Sequence, residues 1–374
     1  MPRALIVGAG VTGSTVAHVL AQAGVECMLF EGQDLPGGLI RSATMNGVLY
    51  EPHGSHVFHT NEQWIWDFVT ALVPFNDYHH RVDILAAGGV YNWPLRASDI
   101  ARQPDAAQIR AELRDRREVA VTERAGAENF EDWCLRLMGP TLYGRFVAPY
   151  TRKQWGRDPR ELSPSWAPRR ISIREDENPY LFLDRFQGWP AGGAGYTDLI
   201  DALLAHGLIE LRVASPVTLP DLPLLMREHG CDAVVLTCPL DQFCEASHGE
   251  LPWRGILVSS MFVGHVELAQ SAMVVNYPGV EFPFIRVHET KHASGQTGPG
   301  TVLGFEFTGA PARHYPVEDP ASRALNDHYK EVVRDALVAT PAYFGGRLAN
   351  YRYINIDECI AEAHAVASSL LAGL

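Results

Sequence analysis

The sequence predicts an α/β fold: a Rossmann-like nucleotide-binding domain that carries a helical insertion and a mostly antiparallel β-sheet domain. Three observations carry that expectation. The apolar run Ala4-Leu5-Ile6-Val7 breaks at Gly8-Ala9-Gly10-Val11-Thr12-Gly13 and passes into apolar residues at helical spacing. From about Ser98 to Arg152, Arg, Glu and Ala dominate around apolar positions spaced as on helices. Residues 170–190 and 254–310 place β-branched and aromatic residues between turn signals, as strands do.

Taken in order, Ala4 to Val7 is short and continuously apolar, the pattern of a strand buried on both faces. Val16, Val19, Leu20 and Ala23 then mark one face of a helix that Gly24 stops. Val25 to Phe30 is a second strand, closing on Glu31. Residues 61–73 (Asn61, Trp64, Ile65, Phe68, Val69, Leu72) form an amphipathic helix with an asparagine near its start. Ile109, Leu113, Val119, Phe130, Trp133, Leu137, Leu142 and Phe146 supply the apolar faces of the helical insertion. Tyr196 to Leu204 is helical, Asp232 to Thr237 is another buried strand, and Ile356 to Leu371 is an alanine-rich helix with Asp357 near its N-terminus. The assignment by domain is 1–77, 192–243 and 316–374 for the nucleotide-binding part and 98–152 for the insertion. Residues 78–97, 153–191 and 244–315 make the sheet domain.

At roughly 150 residues per domain, 374 residues make two or three domains. With 31 basic and 44 acidic side chains the net charge is −13. That balance argues against nucleic acid or an anionic membrane as the main partner, so an anionic substrate would need a local group of arginines. No apolar run approaches the roughly 20 residues of a membrane span. The first strand begins too early for a signal peptide to precede it. Six scattered cysteines without C-x-x-C suit buried thiols in a reducing cytosol. The fifteen histidines show no H-E-x-x-H, and no metal is expected.

The glycine string is informative because of its surroundings. It follows a strand, opens a helix, and precedes by 31 − 13 = 18 residues an acidic residue that ends the next strand, near the ~20-residue offset of dinucleotide sites. Gly8 serves the tight turn, Gly10 the approach of backbone to a pyrophosphate, and Gly13 the packing of helix on strand. Glu31 is placed to take ribose hydroxyls. The pair Gly37-Gly38 soon afterwards lets the chain pass close to a flavin's ribityl chain, and Gly345-Gly346-Arg347 before the last helix can return to the same pyrophosphate. These segments select FAD over NAD.

Five segments, Gly54-Ser55-His56-Val57-Phe58-His59-Thr60, Tyr150-Thr151-Arg152-Lys153-Gln154-Trp155-Gly156, Asp184-Arg185-Phe186-Gln187-Gly188, Gly195-Tyr196-Thr197 and Phe344-Gly345-Gly346-Arg347-Leu348, resemble bacterial UDP-galactopyranose mutases in order along the whole chain. The resemblance implies a cytoplasmic homodimer that interconverts the pyranose and furanose forms of UDP-galactose or a related UDP-sugar. It implies reduced FAD as the cofactor, with flavin N5 attacking the anomeric carbon and forming a sugar adduct. It further implies that Arg170, on a mobile lid near 160–178, and Arg286 clamp the diphosphate. Tyr315 and Tyr353 would contact phosphate, Tyr150 would stack on uracil, and Asn276 would contact the uridine. Asn92 and Trp155 would line the sugar pocket, His56 and His59 would pass the isoalloxazine, and Glu306 would act indirectly. Two positions depart from the family pattern: Leu181 replaces a diphosphate-contacting tyrosine and Asn355 an aspartate. The same two-domain frame also admits an amine-oxidase-like flavin oxidase, and the departures admit an inactive sugar-nucleotide-binding relative.

Overall fold

The computed structural model describes residues 1–114, 126–164, 171–337 and 340–374. Arg170 and Val119 lie outside them, as do Ser165 and Trp166 of the expected lid.

Five parallel strands form one sheet in the spatial order Ile209–Arg212, Glu26–Phe30, Arg3–Val7, Ala233–Leu236, Ala342–Phe344. In chain order this reads 3-2-1-4-5, which reverses direction beside the first strand, where doubly wound sheets bind their ligands. Alternation explains why that strand is apolar throughout. Ala4 and Ile6 pack with Val16, Leu20, Ala363 and Leu370 on one face. Leu5 and Val7 pack with Leu222, Met226, Tyr329 and Val333 on the other. The helices Tyr196–Leu204 and Ile356–Gly373 agree with expectation to within two residues at each end, and Val11–Gln22 stops short of Gly24 as expected.

A six-stranded sheet runs Trp253–Val263, Thr301–Pro316, Arg286–His288, Val274–Asn276, Val82–Ala86, Gly89–Trp93. It is antiparallel except between Val274–Asn276 and Val82–Ala86. The described part of the 170–190 window, residues 171–190, does not join it, contrary to expectation. Only Ile173–Arg174 and Phe186–Gly188 are strands there, each in a two-stranded pairing elsewhere. Asp176, Asn178 and Pro179 break the stretch into turns, and Glu177 takes a positive φ of 56°.

The window from residue 98 onward is helical over Ala106–Arg114, Phe130–Leu142 and Ala148–Trp155, the last two joined by a π-helical turn. Gly139, at φ 77° before Pro140, kinks the middle helix. Ile109, Phe130, Trp133, Leu142 and Phe146 share one core as expected. Asn61 does not cap the helix Gln63–Leu72; its amide donates to Asp184 and its carbonyl accepts from the Arg185 N–H. Among the described residues no helix is long and apolar enough to cross a membrane. The six cysteines are free, and burial pushes the Cys27 and Cys238 thiols up to about 12.

Candidate active site

Three glycine segments converge at the start of the helix Val11–Gln22. Gly10 is its N-cap and supplies no side-chain acceptor, so the first-turn N–H groups are left for a ligand. The separate demands on each glycine are visible in the packing. A Cβ on Gly8 would come 2.5 Å from Thr237 Oγ1, and one on Gly13 would lie 1.9 Å from the Gly8 carbonyl oxygen. A Cβ on Gly10 would meet nothing within 4 Å, which leaves open space at the helix tip. The Gly37 N–H donates to the Ala9 carbonyl at 2.8 Å, and Gly38 packs against Gly10. From the far end of the chain Gly346 abuts Thr12, where a Cβ would be 2.5 Å from its hydroxyl. Buried Glu31 accepts from the Ala9 N–H at 2.8 Å and the Gln33 N–H at 2.9 Å, keeping lone pairs for a ribose diol. Donor-rich backbone, side-chain-free space and a buried acceptor together fit a dinucleotide cofactor.

The sheet and the helical region enclose a cavity of about 100 Å³ lined by Tyr150, Trp155, Asn276, Trp93, Phe146 and neighbouring apolar residues. Asn276 Oδ1 is buried there with no partner among the described residues. Asn276 pairs across the strands with Arg286, whose Nη2 donates to the Tyr150 hydroxyl. Tyr150 therefore belongs to both the cavity wall and the arginine's surroundings. Burial works against the Arg286 charge, but Tyr150, Glu306 and Tyr315 outweigh it and hold the guanidinium above its ordinary value. Arg347 lies against the rings of Tyr353 and Tyr315, which are 5.5 Å apart, and donates to the Ile354 carbonyl. Trp155 meets Tyr315 edge-on. Arg286, Arg347 and four aromatic rings thus share one wall with the cavity at its side.

The histidines divide. His59 Nδ1 donates to the Asp184 carboxylate at 3.0 Å, and the ring stacks on Phe182 at 3.7 Å. The His56 N–H donates to Glu51 Oε1 at 3.0 Å, its Nδ1 lies 3.3 Å from the same oxygen, and its ring stands edge-on to Tyr196. Glu51 is fully buried and its Oε2 has no partner among the described residues. Burial, with His53 and Arg347 nearby, pushes His314 down to about 4, so it stays neutral as the acceptor for the Ile256 N–H.

Three expected contacts are not at this wall. Asn92 alternates with Trp93, so Trp93 faces the cavity while the buried Asn92 amide donates to the Pro94 carbonyl at 2.8 Å. Leu181 is buried in the core with Phe182, Trp189 and Val82. Asn355 is the N-cap of the helix Ile356–Gly373, in a capping box with Glu358. A Leu181→Tyr substitution should therefore lower stability by about 1–3 kcal/mol through overpacking and restore no phosphate contact. Thermal denaturation checks this, and an unchanged or raised melting temperature would contradict it.

Two residues escaped the sequence reading. Glu51, in Tyr50-Glu51-Pro52, has the local signature of a surface turn. Lys153 donates from Nζ to the carbonyls of Tyr277, Gly279 and Phe284 at 2.6–2.9 Å. It pins the connection between Asn276 and Arg286 to the helix bearing Tyr150 and Trp155. Lys153→Met should lower stability by about 1–3 kcal/mol, because three carbonyls lose their charged donor, as a melting curve would show; an unchanged melting temperature would count against the pin.

The family model described as UDP-galactopyranose mutase matches residues 145–353, and one described as an NAD(P)-binding Rossmann-like domain matches residues 6–72. The chain is 28% identical to a dTDP-fucopyranose mutase of Escherichia coli over 97% of each chain. It is 29% identical to a probable UDP-galactopyranose mutase of Klebsiella pneumoniae, covering 99% of this chain and 95% of that one. A crystal structure of reduced UDP-galactopyranose mutase superposes with a TM-score of 0.78 at 18% identity, covering 100% and 96% of the two chains. At that identity the superposition speaks for the fold.

Proposed function

The chain belongs to the UDP-galactopyranose mutase family, and from that premise we propose that it interconverts the pyranose and furanose forms of a nucleoside-diphosphate hexose, UDP-galactose or a close relative. The family's enzymes are isomerases, so the oxidase reading falls away. The observation that carries the proposal is Tyr150, which both walls the cavity of about 100 Å³ and meets Arg286 beside it.

The dinucleotide cradle of Gly8, Gly10, Gly13, Gly37, Gly38 and Glu31 is assigned to FAD, with Arg347 at its edge and His56 and His59 on the segment passing the ring. When bound in reduced form, the flavin supplies an electron-rich nitrogen to the anomeric carbon. The protein's own tasks are positional and electrostatic. Tyr150 and Asn276 hold the base, the unpaired Asn276 Oδ1 being an acceptor for a pyrimidine N3–H. Arg286, joined by Arg170 from the lid and by the Tyr315 and Tyr353 hydroxyls, holds the diphosphate and stabilises its charge as it departs. Trp155 borders the sugar. The wall is built for a leaving group that stays bound and returns, which an isomerisation through a detached diphosphate requires. The apolar cavity lining suits a 5-methyl as well as a 5-hydrogen pyrimidine. Residues 98–152 are assigned as the substrate-binding insertion and the protein as a cytoplasmic homodimer.

Dithionite-reduced protein incubated with UDP-galactofuranose and with dTDP-fucofuranose should release the matching pyranose from at least one. Tight UDP binding without turnover of any nucleotide sugar would instead identify an inactive relative, the reading that the Leu181 and Asn355 departures favour.

A further inference from the structure

We propose that His288 is a positioning residue of the phosphate clamp: it carries protons on both ring nitrogens and neutralises Glu306, so that Arg286 keeps an uncompensated positive charge for the nucleoside diphosphate. The inference rests on the reading that Arg286 meets a diphosphate.

Arg286 and His288 are two apart on one strand and so share a face. Their cross-strand partners are Glu306 and Gly304. Gly304 is what admits the imidazole, since a Cβ there would lie 2.3 Å from the His288 ring. The ring is held at both ends by oxygen atoms. Nδ1 is 3.2 Å from Glu306 Oε1, and Nε2 is 3.1 Å from the backbone carbonyl of Glu51. A carbonyl oxygen only accepts, so Nε2 must donate. A neutral imidazole would then turn a bare Nδ1 lone pair toward a carboxylate. Both side chains are 1% exposed, so water is not available to relieve that contact.

The pair holds one proton more than a neutral histidine beside a carboxylate. Its location follows from what surrounds Glu306. Arg286 Nε is 3.6 Å from Oε2, and the Ser55 backbone adds a hydrogen bond. Burial favours the neutral carboxyl, but Arg286 is the largest influence against it, and Glu306 is held below its ordinary range. The carboxylate is ionised and the extra proton sits on the imidazole. The nearby Glu51 carboxylate does not compete for it, being directed at His56.

The charges of these three contacting side chains decide the consequence. Arg286, Glu306 and His288 together leave one net positive charge beside the cavity. With His288 neutral, Glu306 would cancel Arg286, and the charge left along the wall would be that of Arg347 alone. The Glu306 side chain also reaches Arg286 and the Ser55 backbone, on the segment that carries His56, with oxygen a glutamine amide keeps in part.

The test uses the flavin-loaded, full-length protein. Nitrogen NMR with labelled histidine, assigned by difference against a His288 variant, should show both His288 ring nitrogens protonated at neutral pH. A bare Nδ1 would overturn the proposal. UDP titrated by calorimetry should bind His288→Leu roughly ten- to a hundredfold more weakly, as expected for one charge lost at short range in a partly desolvated site. His288→Leu combined with Glu306→Gln should recover most of the affinity, since the net charge is restored. A double variant as weak as the single would assign His288 a packing role and overturn the proposal. If His288→Leu fails to fold, the ring-nitrogen result on the native protein decides alone. If the native protein does not bind UDP, the nucleotide reading falls and the clamp with it, whereas UDP binding with a neutral His288 would sink the present inference only.

Discussion

Arg286→Ala is expected to cut turnover of the reduced enzyme by a factor of about 10²–10³, the range seen when one preorganised donor to a developing anion is removed, with the flavin spectrum and FAD content unchanged. The reasoning is geometric. Arg286 contacts Tyr150 and Glu306, all three on the cavity side and none part of the glycine cradle. On the proposed function its loss therefore strikes the leaving diphosphate and spares the cofactor. Arg286→Lys should fall between, because an ammonium keeps the charge but cannot offer two parallel N–H groups while also bonding Tyr150. Pre-steady-state release of nucleoside diphosphate from the reduced variant, alongside its visible spectrum, measures both halves of the expectation. Loss of FAD from Arg286→Ala would move that arginine to the cofactor and dismantle the clamp.

How much of this could be read from the chain depended on how locally each feature is encoded. The cradle was legible because its requirements lie within a few residues. A strand, a positive φ at Gly8 and a helix N-terminus follow one another directly. Tyr150, Asn276 and Arg286 were not legible from spacing, and the resemblance alone drew attention to them. Glu51, Lys153 and His288 had no local signal at all. Lys153 meets carbonyls 124 to 131 residues away, and His288 meets the Glu51 carbonyl across 237. Asn92 and Leu181 lie away from the wall for a related reason. On a strand the neighbour one position along faces the other way, so Trp93 took the place expected for Asn92. Leu181 was judged as a missing phenol, while the space around it had closed into core. The expected strands in 170–190 failed because β-branched composition was weighed above the turn-forming Asp176, Asn178 and Pro179.

Gly13→Val and Gly10→Ala should separate folding from cofactor binding. At Gly13 the added Cβ would lie 1.9 Å from the Gly8 carbonyl oxygen and 3.2 Å from Thr237 Oγ1. The first of these is backbone, in a turn that Thr237 already holds through hydrogen bonds to the Val7 and Gly8 carbonyls. No flexible side-chain end can give way, so the helix must retreat from the strand. That costs about 3 kcal/mol or more and carries the first-turn N–H groups off the pyrophosphate. Both thermal stability and flavin content should collapse. Gly10 is the opposite case. Its φ of −73° suits any residue, and a Cβ there meets nothing within 4 Å. Gly10→Ala should fold with the stability of the flavin-free native protein, yet bind FAD at least tenfold more weakly, because the methyl occupies the space facing the helix tip. Flavin titration of the two apoproteins, with their melting curves, distinguishes the cases. Retention of full FAD affinity by Gly10→Ala would mean that the pyrophosphate does not pass the helix N-terminus, and the cofactor assignment would have to be rebuilt from Glu31 and Arg347.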